Sequence, residues 1–196
     1  MSTLFSDHPE PTIRSGCVRV RFLWVEDRWT HRVEWLDGES WKFLAEPIHS
    51  DADPNRVVSP TYQEVHLQPA ALGSQILAIG RWGKHHLSAV FSIEARENDT
   101  ILAVDVADRC RVPFEALGCS YRVVLEPSRL VDASPSRAVW EVAADRWSVE
   151  TDSPDRIAIA ELGRIGMSVQ VQAAIDPKSF THRCRYRWVF SRRPLN

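Results

Sequence analysis

The sequence predicts an all-β protein, an antiparallel sandwich or barrel of about a dozen strands, and three observations predict it. Short runs alternate apolar and polar residues with period two, as Val18, Val20, Phe22 and Trp24 do against Arg19 and Arg21. Turn residues punctuate these runs, most clearly at Asp37-Gly38. The third observation is a stretch written twice: GESWKFLAEPIHSDADPNRVV, Gly38 to Val58, returns as GCSYRVVLEPSRLVDASPSRAV, Gly118 to Val139. The matched positions include Gly38/Gly118, Glu46/Glu126, Pro47/Pro127, Pro54/Pro135 and Arg56/Arg137, in the same order. Beyond them VEDR at Val25 to Arg28 answers VADR at Val106 to Arg109, and Leu77 to Ser88 answers Ile157 to Ser168. The period exceeds that of ordinary solenoid repeats. The expectation is therefore two large halves related by a pseudo-two-fold, residues 17–98 and 99–176, closed by a last strand over 183–191. Two tandem immunoglobulin-like sandwiches are the alternative. Because nothing between Phe91 and Val106 has the composition of a linker, one fused domain over 17–196 is favoured.

In chain order, residues 1–16 are polar and proline-containing, which suits a flexible lead-in. From Cys17 the alternation gives a strand, a turn at Glu26 to Arg28, and a second strand in which Trp29, His31, Val33 and Trp35 share a face. Asp37-Gly38 leads into a third strand, Ser40 to Glu46, ended by Pro47. A polar loop runs to Pro60, and alternation resumes from Tyr62 to Gln68. Ser74 to Trp82 and His85 to Ala95 form a long hairpin around Gly83, and the Glu97-Asn98-Asp99 turn opens Thr100 to Ala107. The second half continues with Arg109 to Pro113, Cys119 to Glu126, a loop at Pro135, then Ala138 to Val142, Arg146 to Glu150, Arg156 to Leu162 and Ile165 to Ile175, before Arg183 to Ser191. Helix is expected, if anywhere, only in single turns at Pro69 to Gly73 and Pro113 to Gly118.

Composition narrows the partners. With 44% hydrophobic and 26% charged residues and a net charge of −2, no whole-protein field draws the chain to nucleic acid or an anionic membrane, so neither is an expected partner. No apolar run reaches spanning length and the N-terminus lacks a signal-peptide pattern, so the cytoplasm is the expected location. Cys17, Cys110, Cys119 and Cys184 show no zinc spacing, and reduced buried thiols are expected. A Cys110–Cys119 disulfide is geometrically conceivable if a hairpin turn lies between them.

Candidate sites follow from residue chemistry. Eight tryptophans suit either a bulky core or an aromatic platform for sugars and planar ligands. Trp82, at a hairpin turn, and Trp41, inside the duplicated stretch, are the candidate ligand contacts, with Asp53 and Asn55 of the DADPN loop beside them. That loop spaces oxygens as a calcium loop does, but it lacks the closing glutamate; Asp capping a turn beside a local Asp–Arg pair is the economical account. Glu64 and His66 share a strand face, and His85 or His86 completes a donor set for a divalent transition metal of the cupin-like kind, without the glycine framework of such a motif. Arg183, Arg185 and Arg187, with Arg19 and Arg21, make a basic patch if the terminal strands are neighbours; protection of a strand edge is the favoured role. No nucleophile elbow, P-loop or dinucleotide fingerprint is present, so no catalytic residue is assigned. The expectation is a non-catalytic binding or interaction module, with no cofactor, for a glycan-like or planar small ligand or a protein partner. A metal-dependent enzyme on Glu64, His66 and His85 or His86 is the first alternative, and a homodimerising structural domain is the second.

Overall fold

The computed structural model describes residues 10–192 except 50–52, 54, 72, 127–128, 143–144, 153 and 163–165. Period-two burial builds almost every element. In β2 (Val18–Val25) Val18, Val20 and Phe22 are buried, and in β3 (Arg28–Asp37) Trp29, His31 and Val33 are. Gly38, with φ +60°, turns β3 into β4 (Ser40–Pro47), where only glycine lacks the Cβ penalty. Before this meander β1 (Thr12–Ser15) pairs with β2, so a segment expected to be a flexible lead-in is strand from Thr12 onward; residues 1–9 lie outside the described residues. After it come the short β5 (Arg56–Val57), then β6 (Glu64–Ala70), β7 (Gly73–Trp82), β8 (His85–Ala95) and β9 (Asp99–Arg109), a four-strand meander. The second part contains β10 (Ala116–Val123), β11 (Leu130–Ser134), β12 (Arg137–Val142), β13 (Asp145–Thr151), β14 (Arg156–Glu161), β15 (Met167–Gln172) and β16 (Thr181–Arg192).

Two eight-stranded sheets result, open at their edges, so the architecture is a sandwich and not a closed barrel. The first has the order β1-β2-β3-β4-β10-β15-β14, with β5 lying parallel to β10; the second has the order β11-β12-β13-β16-β9-β8-β7-β6. Tandem immunoglobulin-like sandwiches would confine each sheet to one half of the chain, whereas here each sheet draws strands from both. The two strands of the duplicated stretch, β4 and β10, lie side by side, with Glu46 opposite Arg122. Of the other matched segments, Leu77 to Ser88 and Ile157 to Ser168 each fall on a pair of adjacent antiparallel strands, β7–β8 in one sheet and β14–β15 in the other, whereas VEDR joins β2 to β3 and VADR lies within β9.

Four local expectations change. Among the described residues the single-turn helices are absent: Pro69 lies in β6 and Ala116 already begins β10, because both segments find strand partners that outweigh a marginal turn. The Pro135 loop is a tight turn between β11 and β12. Arg109 closes β9 and does not open a strand of its own. The last strand, β16, is central, between β13 and β9, so its arginines guard no edge.

The sheets meet through one cluster of buried side chains. Aromatic pairs cross it edge-on, Phe22 with Phe91 at 5.1 Å, Tyr121 with Trp188 at 5.3 Å and Trp35 with Trp147 at 4.8 Å. Each such side chain contributes about 1.5–3 kcal/mol on full burial. Between β5 and β6 the chain crosses from one sheet to the other: Trp29 N–H donates to the Tyr62 carbonyl, and Gln63 N–H to that of Ile79. Gly80 permits this crossing, since a Cβ there would stand 1.8 Å from the Thr61 carbonyl oxygen. Among the described residues no helix is long and apolar enough to cross a membrane.

Candidate functional site

Most of the surface arginines are neutralised by carboxylates. Arg19 and Arg21 share Glu34, Arg32 and Arg122 share Glu46, Arg137 and Arg187 share Glu150, and Arg183 and Arg185 share Asp105. The expected basic patch therefore does not form: β2 and β16 lie in different sheets, and both sets of arginines are paired.

One place departs from this pattern. At the end of the second sheet, the β7–β8 hairpin tip, the end of β9 and the loop after it line a cleft of about 400 Å³ with Arg81, Lys84, His86, Arg109, Arg111 and Val112. The register explains the convergence. Arg81 pairs with His86, and His86 with Arg109, so three basic side chains lie in one row across three strands on the outward face. Lys84 comes from the turn at Gly83, whose φ is +56°, and Arg111 follows two residues after Arg109. Among the described residues none of Arg81, Lys84, Arg109 and Arg111 has a carboxylate partner; Arg81 Nε donates instead to the Gly83 carbonyl at 3.3 Å. Four permanent cations thus face one cleft whose lining contains no acid.

Beneath the row the alternate residues point inward. His85 Nδ1 lies 2.8 Å from Asp108 Oδ2, both side chains essentially fully buried, tying β8 to β9 under the cleft. The second carboxylate oxygen, Oδ1, has no partner among the described residues. A buried carboxylate under a cluster of cations offsets part of their mutual repulsion without neutralising the outer face. Phe114 covers this pair edge-on at 4.8 Å and meets His182 at 4.9 Å on its other side.

The residues singled out from the sequence are placed as follows. Glu64 and His66 are neighbours on the outer face of β6, with His66 Nε2 3.2 Å from Glu64 Oε2. His86 faces outward two strands away, while His85 faces inward to Asp108, so the four do not converge. Among the described residues no three His, Cys, Asp or Glu side chains are gathered as a metal site requires. None of the eight tryptophans is exposed: Trp82 is half-buried against the core, and Trp41 is half-buried under the Arg19 guanidinium, 4.5 Å from its ring centroid. The expected platform thus has no exposed tryptophan to build on. Asp53 Oδ1 accepts from Asn55 N–H, a turn cap, and the Asn55 carbonyl accepts from Glu115 and Ala116 N–H, which docks the loop on β10. Asp51 and Pro54 lie outside the described residues. The expected Asp132–Arg137 pair is replaced, since Arg137 pairs with Glu150 on the adjacent strand β13; Arg56 approaches Glu115 at 4.0 Å, and its expected partner Asp51 lies outside the described residues.

A second polar cluster lies in the core. His31 Nε2 is 2.9 Å from Tyr121 Oη, which is 2.6 Å from Tyr186 Oη. Burial, aided by His49, pushes the His31 pKa down to about 3, and burial raises Tyr62, Tyr121 and Tyr186 well above the usual tyrosine range. The Cys184 thiol is driven far up, first by its hydrogen bond with Cys119 and then by burial. Cys119 therefore has Cys184 as its neighbour, across the two sheets, and Cys110 donates instead to the Val112 carbonyl; all four thiols are free. Groups held neutral and sealed from solvent specify core packing and offer no surface to a ligand. No protein-family model and no curated protein matches this chain.

Proposed function

We propose that the protein is a non-catalytic binding module for an anionic ligand held in the cleft of Arg81, Lys84, His86, Arg109 and Arg111. One observation carries this reading: on a surface where most arginines are paired, four cations line one cleft with no carboxylate among them. Such a cluster is unfavourable when empty and is relieved by a phosphate or carboxylate, which the guanidinium forks match in geometry. Two of these cations, Arg81 and Arg109, stand on paired strands of the sheet, so those donors are arranged before the ligand arrives. Four free thiols, two of them a buried pair, support a reducing compartment and hence the cytoplasm.

The test is a calorimetric titration with inorganic pyrophosphate at low and at physiological salt. Saturable one-to-one binding, weakened by salt as exposed charges require, is expected for the native protein. It should fall about tenfold or more in Arg109→Ala/Arg111→Ala, whose side chains are exposed and whose loss spares the core. Equal binding in the two proteins, or none in either, refutes the assignment.

A further inference from the structure

The cationic cleft does not end at Arg111. Arg111 and Val112 are also walls of a second, smaller pocket of about 100 Å³, lined by the apolar Pro113, Phe114, Ile175, Pro177 and Phe180 and by the polar Asp176, Ser179 and His182. Large exposed apolar side chains are few and scattered on this protein, yet two of them, Val112 (42% exposed) and Phe180 (63%), meet here. Neither is on a loose loop. The Val112 carbonyl accepts from Cys110 Sγ, and the Phe180 carbonyl accepts from Cys110 N–H at 3.0 Å. His182 Nε2–H donates to the Asp176 carbonyl, which also accepts from Ser179 N–H, while Asp176 Oδ1 accepts from Lys178 N–H. The loop that carries Phe180 is thereby held rigid with an aromatic ring facing water, an arrangement that costs solvation unless something covers the ring.

Resting on the anion-binding reading above, we infer that the two pockets are one bipartite site, and that its ligand is an organic anion. Its phosphate or carboxylate sits among Arg81, Arg109 and Arg111, and an apolar group the size of a single ring sits on Val112 and Phe180. Size sets the second part: a cavity of about 150 Å³ accommodates benzene, so the smaller pocket takes one ring, partly exposed, and not a long acyl chain. Charge sets the first part, since the shared wall at Arg111 and Val112 joins a cleft whose charged residues are all basic to a pocket that is mostly apolar, where the Asp176 carboxylate is held by the Lys178 N–H. The apolar lining rejects a bare polyanion as the best ligand, because it adds nothing to it.

Two pairs of probes separate the parts: inorganic phosphate against phenyl phosphate, and acetate against benzoate, each titrated calorimetrically into the full chain. The ring-bearing member of at least one pair should bind about tenfold tighter than its parent, the gain from partly burying one ring. Which pair shows the gain identifies the head group. In Phe180→Ser the gain should vanish while the parent anion binds as before, and Val112→Ser should reduce it; both residues are exposed, so the fold survives. Arg109→Ala should weaken parent and ring-bearing anion alike. If the ring brings no gain in either pair, or a gain that survives Phe180→Ser, the bipartite site is wrong while the anion site stands. If no anion binds at all, both fall.

Discussion

Acidification should destabilise this protein through His31, by an amount the structure allows one to work out. The imidazole is buried between Phe22 and Phe91, and its folded pKa is about 3, against 6.5 for an unperturbed histidine. The folded value is depressed, so its contribution to stability is fully present above pH 6.5 and is lost as the pH falls toward 3, because only the unfolded chain takes up the proton. Between pH 7 and pH 5 this loss amounts to about 2 kcal/mol. His31→Phe removes the titrating group and keeps an aromatic ring in the same space. Tyr121 retains Tyr186 as a hydrogen-bond partner, so the variant orphans no hydroxyl. Urea unfolding followed by tryptophan fluorescence at pH 7 and pH 5, for both proteins, isolates the effect, since every other titrating group cancels in the difference. The native protein should lose about 2 kcal/mol more than the variant over that interval. Equal losses would mean that His31 takes up its proton in the folded state, and the sealed core deduced from its burial would be wrong.

Further outcomes follow from the same packing. Asp108→Ala strips the buried His85 of its partner and should cost about 3–5 kcal/mol in chemical denaturation; a loss below 1 kcal/mol would show the pair to be solvated. Gly80→Ala drives a methyl into the Thr61 carbonyl oxygen and should cost about 3 kcal/mol or more, lowering the melting temperature by many degrees, whereas Gly38→Ala meets no atom and pays only for its positive φ. Titration of the native protein with a thiol-specific disulfide reagent should modify the half-buried Cys17 first, with Cys110, Cys119 and Cys184 reacting only on unfolding. Two reactive thiols in denaturant, in place of four, would reveal a disulfide that the structure lacks.

Where the chain's order was local, the sequence was a sufficient guide. The hairpins at Asp37-Gly38 and Gly83, and the inward phase of Val18, Val20 and Phe22 or of Met167, Val169 and Val171, all follow from period-two alternation and turn chemistry. Long-range pairing was not readable in this way. Nothing in Thr181 to Arg192 announces that it will lie between β13 and β9, because strands far apart in sequence choose partners by packing. An arginine-studded strand then looks like an edge, whereas its charges are answered by Asp105 and Glu150 on its two neighbours. The Cys184–Cys119 contact was hidden for the same reason.

The candidate site divides along the same line. Its cationic half was within reach. A hairpin turning at Gly83 sets Arg81 opposite His86, and one turning at Asn98 sets His86 opposite Arg109, so two local turns place three basic residues in a row on the face away from the core. What drew attention instead was a donor set of Glu64 and His66 with His85 or His86, although strand alternation sends the two adjacent histidines to opposite faces: His85 inward to Asp108, His86 outward into the cleft. The apolar half was out of reach, since Phe180 comes to Val112 only through the pairing of Thr181 with Arg109, a contact between segments some seventy residues apart. An anion site built on hairpins and completed by a distant loop keeps its charge even when that loop changes, while its preference for what the anion carries depends on Phe180 and Val112. Affinity and selectivity should therefore respond to different substitutions, which is the separation that the paired anion titrations measure.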